Sequence, residues 1–120
     1  KSHFYIQTCT LKFAENGRTL LMHAVCLQEH ATRSKFTQLL LEKGADVNAR
    51  DDHGRTALSL VCEHGHLDSV KLLVQFNADP ELTDTWGNSA LMYAACGGHS
   101  QILDRVLSEC KNSKSSRELF

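Results

Sequence analysis

The feature that most restricts what this chain can fold into is a repeat of 33 residues. Asp51-Asp52-His53-Gly54-Arg55-Thr56-Ala57-Leu58 returns as Asp84-Thr85-Trp86-Gly87-Asn88-Ser89-Ala90-Leu91, with Gly54 and Gly87 33 residues apart. Gly65-His66 returns as Gly98-His99, and Leu39-Leu40-Leu41-Glu42-Lys43-Gly44-Ala45-Asp46 as Leu72-Leu73-Val74-Gln75-Phe76-Asn77-Ala78-Asp79, at the same interval. An earlier copy, Glu15-Asn16-Gly17-Arg18-Thr19-Leu20-Leu21, places Gly17 37 residues before Gly54, four more than the period. The extra residues must fall between Cys26 and Phe36, and the polar run from Gln28 to Ser34 predicts a lengthened turn between two helices. A repeat of this length means one supersecondary unit per period, each unable to bury its apolar side alone.

Inside a unit the apolar spacing predicts two helices. In the middle copy Leu58, Val61 and Cys62 fall at i, i+3 and i+4 over about residues 57–64, and Leu67, Val70, Leu73 and Val74 form a second stripe over about 67–76. Leu103, Val106 and Leu107 continue that stripe in the third copy. Ala24, Ala94 and Ala95 are small enough to let neighbouring units approach closely. Gly44 stands where the second helix must turn out, a place suited to glycine because positive φ costs it little, and Asn77 is the usual substitute there. The fold class that follows is an all-α solenoid of helix-turn-helix units joined by hairpin-like loops. Roughly three units are needed for stability.

These landmarks resemble the ankyrin repeat. The family pattern runs Asp-x-x-Gly-x-Thr-Pro-Leu-His, then Ala-Ala-x-x-Gly-His, then a Leu-rich stretch ending Gly-Ala-Asp-Val-Asn. Gly44-Ala45-Asp46-Val47-Asn48-Ala49 and Glu63-His64-Gly65-His66-Leu67-Asp68-Ser69-Val70-Lys71-Leu72-Leu73 carry it here. The resemblance covers about residues 14–110. It implies repeats at 14–50 (with about four inserted residues), 51–83 and 84–110, the last truncated. Residues 1–13 are left as an extension or partial repeat and 111–120 as a polar tail. Phe4, Tyr5, Ile6, Leu11 and Phe13 suggest that part of the first segment packs. The family's Pro is replaced by Leu20, Ala57 and Ala90, which are good helix formers. Its His is replaced by Met22, Ser59 and Met92, so a polar link between repeats is expected to be lost and the units to be less rigid.

Composition excludes several functional classes. The net charge is −1, from 13 basic and 14 acidic side chains, so nucleic acid and anionic membranes are not expected partners. No apolar run approaches the roughly 18 residues needed to span a bilayer. The chain does not start with Met, and it is expected to be part of a larger polypeptide. The five cysteines are odd in number and form no CxxC pair, which favours a reducing, cytoplasmic or nuclear setting over a disulfide framework.

Little in the sequence suggests chemistry. Cys62, His64 and His66 place three potential metal ligands within five positions. His66, however, is the repeat's own Gly-His position, Cys62 falls on the apolar face, and a fourth ligand has no evident source. Asp51-Asp52-His53 looks like an acid-base cluster but reads equally as a solvated loop tip. No phosphate loop or nucleophile motif is present. The expectation is a non-enzyme that needs no cofactor and no metal.

The resemblance implies a better-motivated function: binding a protein or peptide segment in the concave groove formed by loop tips and first helices. Carried over position by position, the candidates are Asn16, Arg18 and Cys26 in the first repeat. The second supplies Arg50, Asp52, His53, Arg55, Glu63 and His64, and the third Thr83, Thr85, Trp86, Asn88 and Cys96. These positions are expected to carry no folding duty. Trp86, the only tryptophan, is the expected anchor, since Trp and Arg are enriched at binding hot spots. It could instead fold back on the neighbouring tip. Alternative roles are a spacer or capping section of a longer stack, and a metal- or redox-responsive domain. Asn48, with Leu40 eight residues upstream, also resembles the hairpin asparagine that asparaginyl hydroxylases modify; the simpler reading is that it hydrogen-bonds its loop.

Overall fold

The computed structural model describes residues 17–113. Among them are six α-helices and no β-strand: α1 Leu20–Val25, α2 His30–Glu42, α3 Ala57–His64, α4 Leu67–Gln75, α5 Ala90–Cys96 and α6 Ser100–Ser113. They form three helix pairs. First helices α1, α3 and α5 pack side by side in one layer, and second helices α2, α4 and α6 in another. The all-helical solenoid expected from the repeat is therefore the fold. Residues 1–13 and the candidate Asn16 lie outside the described residues.

Each first helix starts where a hydroxyl can meet a free backbone N–H. Thr56 Oγ1 accepts from Ser59 N, and Ser59 Oγ accepts from Thr56 N at 2.9 Å while donating to Thr56 O. Thr19 and Met22 repeat the arrangement, with the methionine sulfur as a weak acceptor at 3.5 Å. Ser59 and Met22, at the family's histidine position, thus cap their own helices, and these bonds stay within one repeat. At the third repeat Ser89 makes no such side-chain bond and Met92 is exposed.

The second helices end alike. Ala45 N bonds Leu40 O, and Ala78 N bonds Leu73 O, both at 3.0 Å, wrapping the chain back over the last turn. That wrap needs a left-handed residue, supplied by Gly44 (φ 95°) and by Asn77 (φ 71°), as expected.

The core is serial. Leu58, Val61, Cys62, Val70 and Leu73 are fully buried in the middle repeat, flanked by Leu21 and Val25 before and Ala94, Ile102 and Val106 after. Each large side chain buried this way contributes about 1.5–3 kcal/mol. Leu107 departs from the expected stripe: it is exposed although its equivalent Val74 is buried, because a third repeat covers Val74 and no described residue covers Leu107.

Two boundaries differ from expectation. The inserted residues of the first repeat mainly extend a helix instead of a turn. The helix α2 has 13 residues against nine in α4, and the connection Cys26–Glu29 is only slightly longer than Gly65-His66. The cause is Arg33. Its buried guanidinium donates to both oxygens of Asp68 (3.1 and 2.9 Å) and to the carbonyls of Leu27 and Gln28 (2.9 and 3.1 Å). This bidentate pair ties α2 to the start of α4 and fixes the intervening turn. At the other end α6 runs on to Ser113, into the stretch read as tail.

Candidate protein-binding surface

The loop tips between repeats are organised by two buried aspartates. Asp51 Oδ1 accepts from the backbone N–H of His53 and Arg55, both at 2.9 Å. Asp84 Oδ1 does the same for Trp86 and Asn88, at 3.0 and 2.9 Å. The remaining oxygens differ. Asp51 Oδ2 faces Arg55 Nε at 3.2 Å and Arg18 Nε at 3.9 Å. Asp84 Oδ2 accepts from the Tyr93 hydroxyl. Burial raises the Asp84 pKa, but the bonds from Tyr93, Asn88 and Trp86 outweigh it, so the carboxyl titrates below its usual value. Burial and the same bond push the Tyr93 phenol up.

Asp51 is accordingly not a solvated tip, and no acid-base pair forms with His53. Its carboxylate is occupied by the loop it shapes. Nor are Arg18 and Arg55 idle surface residues, as expected from sequence. Both turn inward onto Asp51, so they hold the tips in place.

Neighbouring tips are also tied to each other. Thr85 N donates to His53 O at 2.9 Å. The Asp52 carboxylate packs over Gly17, where a Cβ would stand 2.2 Å from its oxygen. On the other loop, Asn48 Oδ1 accepts from Asp79 N at 2.8 Å, so Asn48 links one repeat to the next. His99 bridges repeats at the helix ends, with Nε2 3.3 Å from Glu63 O. Its equivalent His66 stands edge-on to His64, ring centroids 5.7 Å apart. Burial, Arg33 and His64 hold His66 below the usual imidazole value.

Trp86 folds only partly back on the neighbouring tip. One side meets the His53 ring, with centroids 5.1 Å apart and planes 31° from parallel, yet 61% of the residue stays exposed. Arg50, Asp52, His64, Thr83, Thr85 and Cys96 are exposed too, while His53, Asn88 and Cys26 are half-buried. The structure brings Glu63, Asn88 and Cys96 together with Met92, Tyr93 and Gly97 around a cavity of about 350 Å³ between α3 and α5. Arg50, Thr83 and His64 do not line it.

The cysteines among the described residues are free thiols. Burial pushes Cys62 up to about 12 and raises Cys26 as well. A buried neutral thiol is a poor metal ligand. Among the described residues no group of three or more His, Cys, Asp or Glu side chains converges on a metal-sized site. No described helix is long and apolar enough to cross a membrane.

Three functional contributors escaped the sequence reading. Tyr93 occupies the position of Leu60 in the middle repeat, and a phenol nine residues after the repeat's aspartate was the available signal. Arg33 and Asp68 lie 35 residues apart across the insertion, outside any periodic register. An apolar recess of about 370 Å³, lined by Leu20, His23, Ala24, Leu27, Phe36, Leu39 and Leu40, was likewise unforeseen. In the middle repeat the corresponding Ala57, Leu60, Val61, Ser69 and Leu73 are buried, while Leu72 is half-buried and His64 exposed.

The family of ankyrin repeats (three copies) matches residues 3–84 and 30–117. The chain is an ankyrin repeat protein. It is 63% identical over 91 residues to ankyrin repeat domain-containing protein 63 of Mus musculus and 60% identical to the Homo sapiens protein of that name. Those matches cover 76% of this chain but only 23% and 24% of the relatives. Over 102 residues it is 38% identical to the Notch-regulated ankyrin repeat-containing protein of Xenopus laevis, covering 85% of this chain and 80% of that one. A probable E3 ubiquitin-protein ligase of Oryza sativa subsp. japonica is 39% identical over 94 residues, 78% of this chain and 18% of the ligase. Ankyrin repeats are protein-interaction modules in general and typically non-catalytic, and several of these relatives contain them as one part of a larger protein.

Proposed function

We propose that this chain is an interaction module of the scaffold or adaptor kind, binding an extended segment of a partner protein along the inner surface of loop tips and first helices. The observation that carries this reading is Trp86. A large aromatic ring stands 61% exposed on a loop held by Asp84 and braced by His53. Exposing that much apolar area on a pre-ordered mount is unfavourable for the free protein and favourable for docking, since little ordering remains to be done on binding. Asp52, His53, Thr85, Asn88, Glu63 and Cys96 surround the path such a segment would follow. The free thiols and near-neutral charge suit a cytoplasmic or nuclear protein that engages neither nucleic acid nor membrane. The family is consistent with a non-enzymatic role. Isothermal titration with the partner tests the reading. Trp86→Ala is expected to weaken binding by at least about 2 kcal/mol without lowering the melting temperature, and an unchanged affinity would overturn it.

A second reading has its own support. Phe36 and Leu39 at one end and Leu107 at the other are exposed, at 44, 39 and 37% respectively. These are the faces through which repeats join, so the chain also suits a section of a longer stack. A protein joined to further repeats at these faces would bury them, and hydroxyl-radical footprinting of the parent protein reads that directly.

A further inference from the structure

The cavity between α3 and α5 has a composition that selects its guest. It is lined by Asn88, Met92, Tyr93, Cys96 and Gly97 beside Glu63. Glu63 is the one charged side chain lining it. The Glu63 carboxylate has no hydrogen bond or ion pair among the described residues; only its backbone carbonyl is engaged, by His99. It sits in the last turn of α3, where unpaired carbonyls gather partial negative charge, a poor place for a carboxylate and a good one for a cation. The inner-face cations that could have neutralised it, Arg18 and Arg55, are both turned onto Asp51.

We propose that this cavity receives an arginine side chain of the partner segment, an assignment that rests on the groove reading above and specifies it. The aliphatic stem lies along Met92 and Cys96, the guanidinium stacks at the Tyr93 ring, and its N–H groups donate to the Glu63 carboxylate and the Asn88 carbonyl oxygen. Arginine suits this site because its planar head is weakly hydrated and pairs with a carboxylate through two parallel hydrogen bonds. The inner surface then offers two adjoining anchors of different chemistry, Trp86 for an apolar group and Glu63 for a basic one.

The test titrates the 120-residue chain with N-acetyl-arginine methylamide and with its uncharged isostere N-acetyl-citrulline methylamide, following the Met92 methyl resonance by NMR. The buried Met22 methyl is the internal control. A saturable Met92 shift is expected with the arginine compound. It should be about tenfold weaker with citrulline and in Glu63→Gln, as for loss of a charge-assisted pair, and unchanged in Glu42→Gln, an exposed carboxylate on the second-helix layer. No saturable shift, or an equal response to citrulline, overturns the proposal. Random 12-residue peptides selected by phage display on the same chain separate the two readings. Peptides that lose binding in both Trp86→Ala and Glu63→Gln and carry a recurrent arginine support both. Peptides that need Trp86 but carry no arginine and tolerate Glu63→Gln overturn the arginine site alone. Peptides that tolerate both substitutions overturn both readings.

Discussion

Asp84 shows how much of a binding surface is decided by side chains that never touch a ligand. Its carboxylate spends one oxygen on the backbone of the loop that presents Trp86 and the other on Tyr93, which lines the adjoining cavity. Tyr93→Phe removes the charge-assisted partner of a buried carboxylate. It is expected to cost about 1–3 kcal/mol in urea denaturation and to loosen the Trp86 loop, seen as faster amide exchange at Trp86 and Asn88. Asn48→Ala removes an inter-repeat bond from a half-buried side chain and should cost about 1 kcal/mol by the same measurement. The aspartates themselves were legible as members of the repeat pattern. Their burial was not, because Asp at a loop tip is most often solvated, and only the position of the next repeat decides otherwise. The same holds for Arg18 and Arg55: sequence position put them on the inner surface, but their attachment to Asp51 depends on how the tips stack.

At the scale of elements, helix boundaries in the second repeat follow directly from sequence. Thr56 and Gly65 bracket α3, and Asn77 closes α4, each by local backbone chemistry that the residue type announces. The first repeat is different. Its insertion was polar and read as turn, yet residues 30–34 are helical because Arg33 finds a carboxylate on the neighbouring unit. A long-range pair overrode a local signal. Burial by itself raises the Asp68 pKa, but hydrogen bonds from Arg33 and Ser34 more than offset it, so the carboxyl titrates below its ordinary 3.8. A carboxyl whose folded-state pKa is depressed lends stability above its unfolded pKa, and that stability is lost as pH falls through the folded value. Chemical denaturation between pH 7 and pH 2 should therefore show a loss of stability beginning near pH 4 in the wild type, with a smaller loss in Arg33→Met. At neutral pH Arg33→Met is expected to cost about 3 kcal/mol, since it strands a partly buried charge.

For the whole molecule, stacking supplies what no single repeat has. The period, the helix pairs and the layer order were all legible, because they depend on a pattern repeated in register. What covers the two ends was not, because an end differs from an interior unit only in what lies beside it. Val74 and Leu107 occupy equivalent positions, one buried and one exposed. A glutamate placed at each should separate them: Val74→Glu buries an unpaired charge and costs several kcal/mol, about 3 or more, whereas Leu107→Glu stays within about 0.5 kcal/mol. Thermal unfolding of the two variants checks this. Equal losses would show that both ends of the third repeat are enclosed.

The missing reciprocal bond at Ser89 has one more consequence. The first and second units begin with a clasp, and the third does not, so unravelling should start at α5 and spread backwards. Trp86 and Glu63 stand on opposite banks of that weakest joint. A guest holding both would act as a splint, and its arrival would be felt as slower fraying of α5 and of the α6 helix packed behind it.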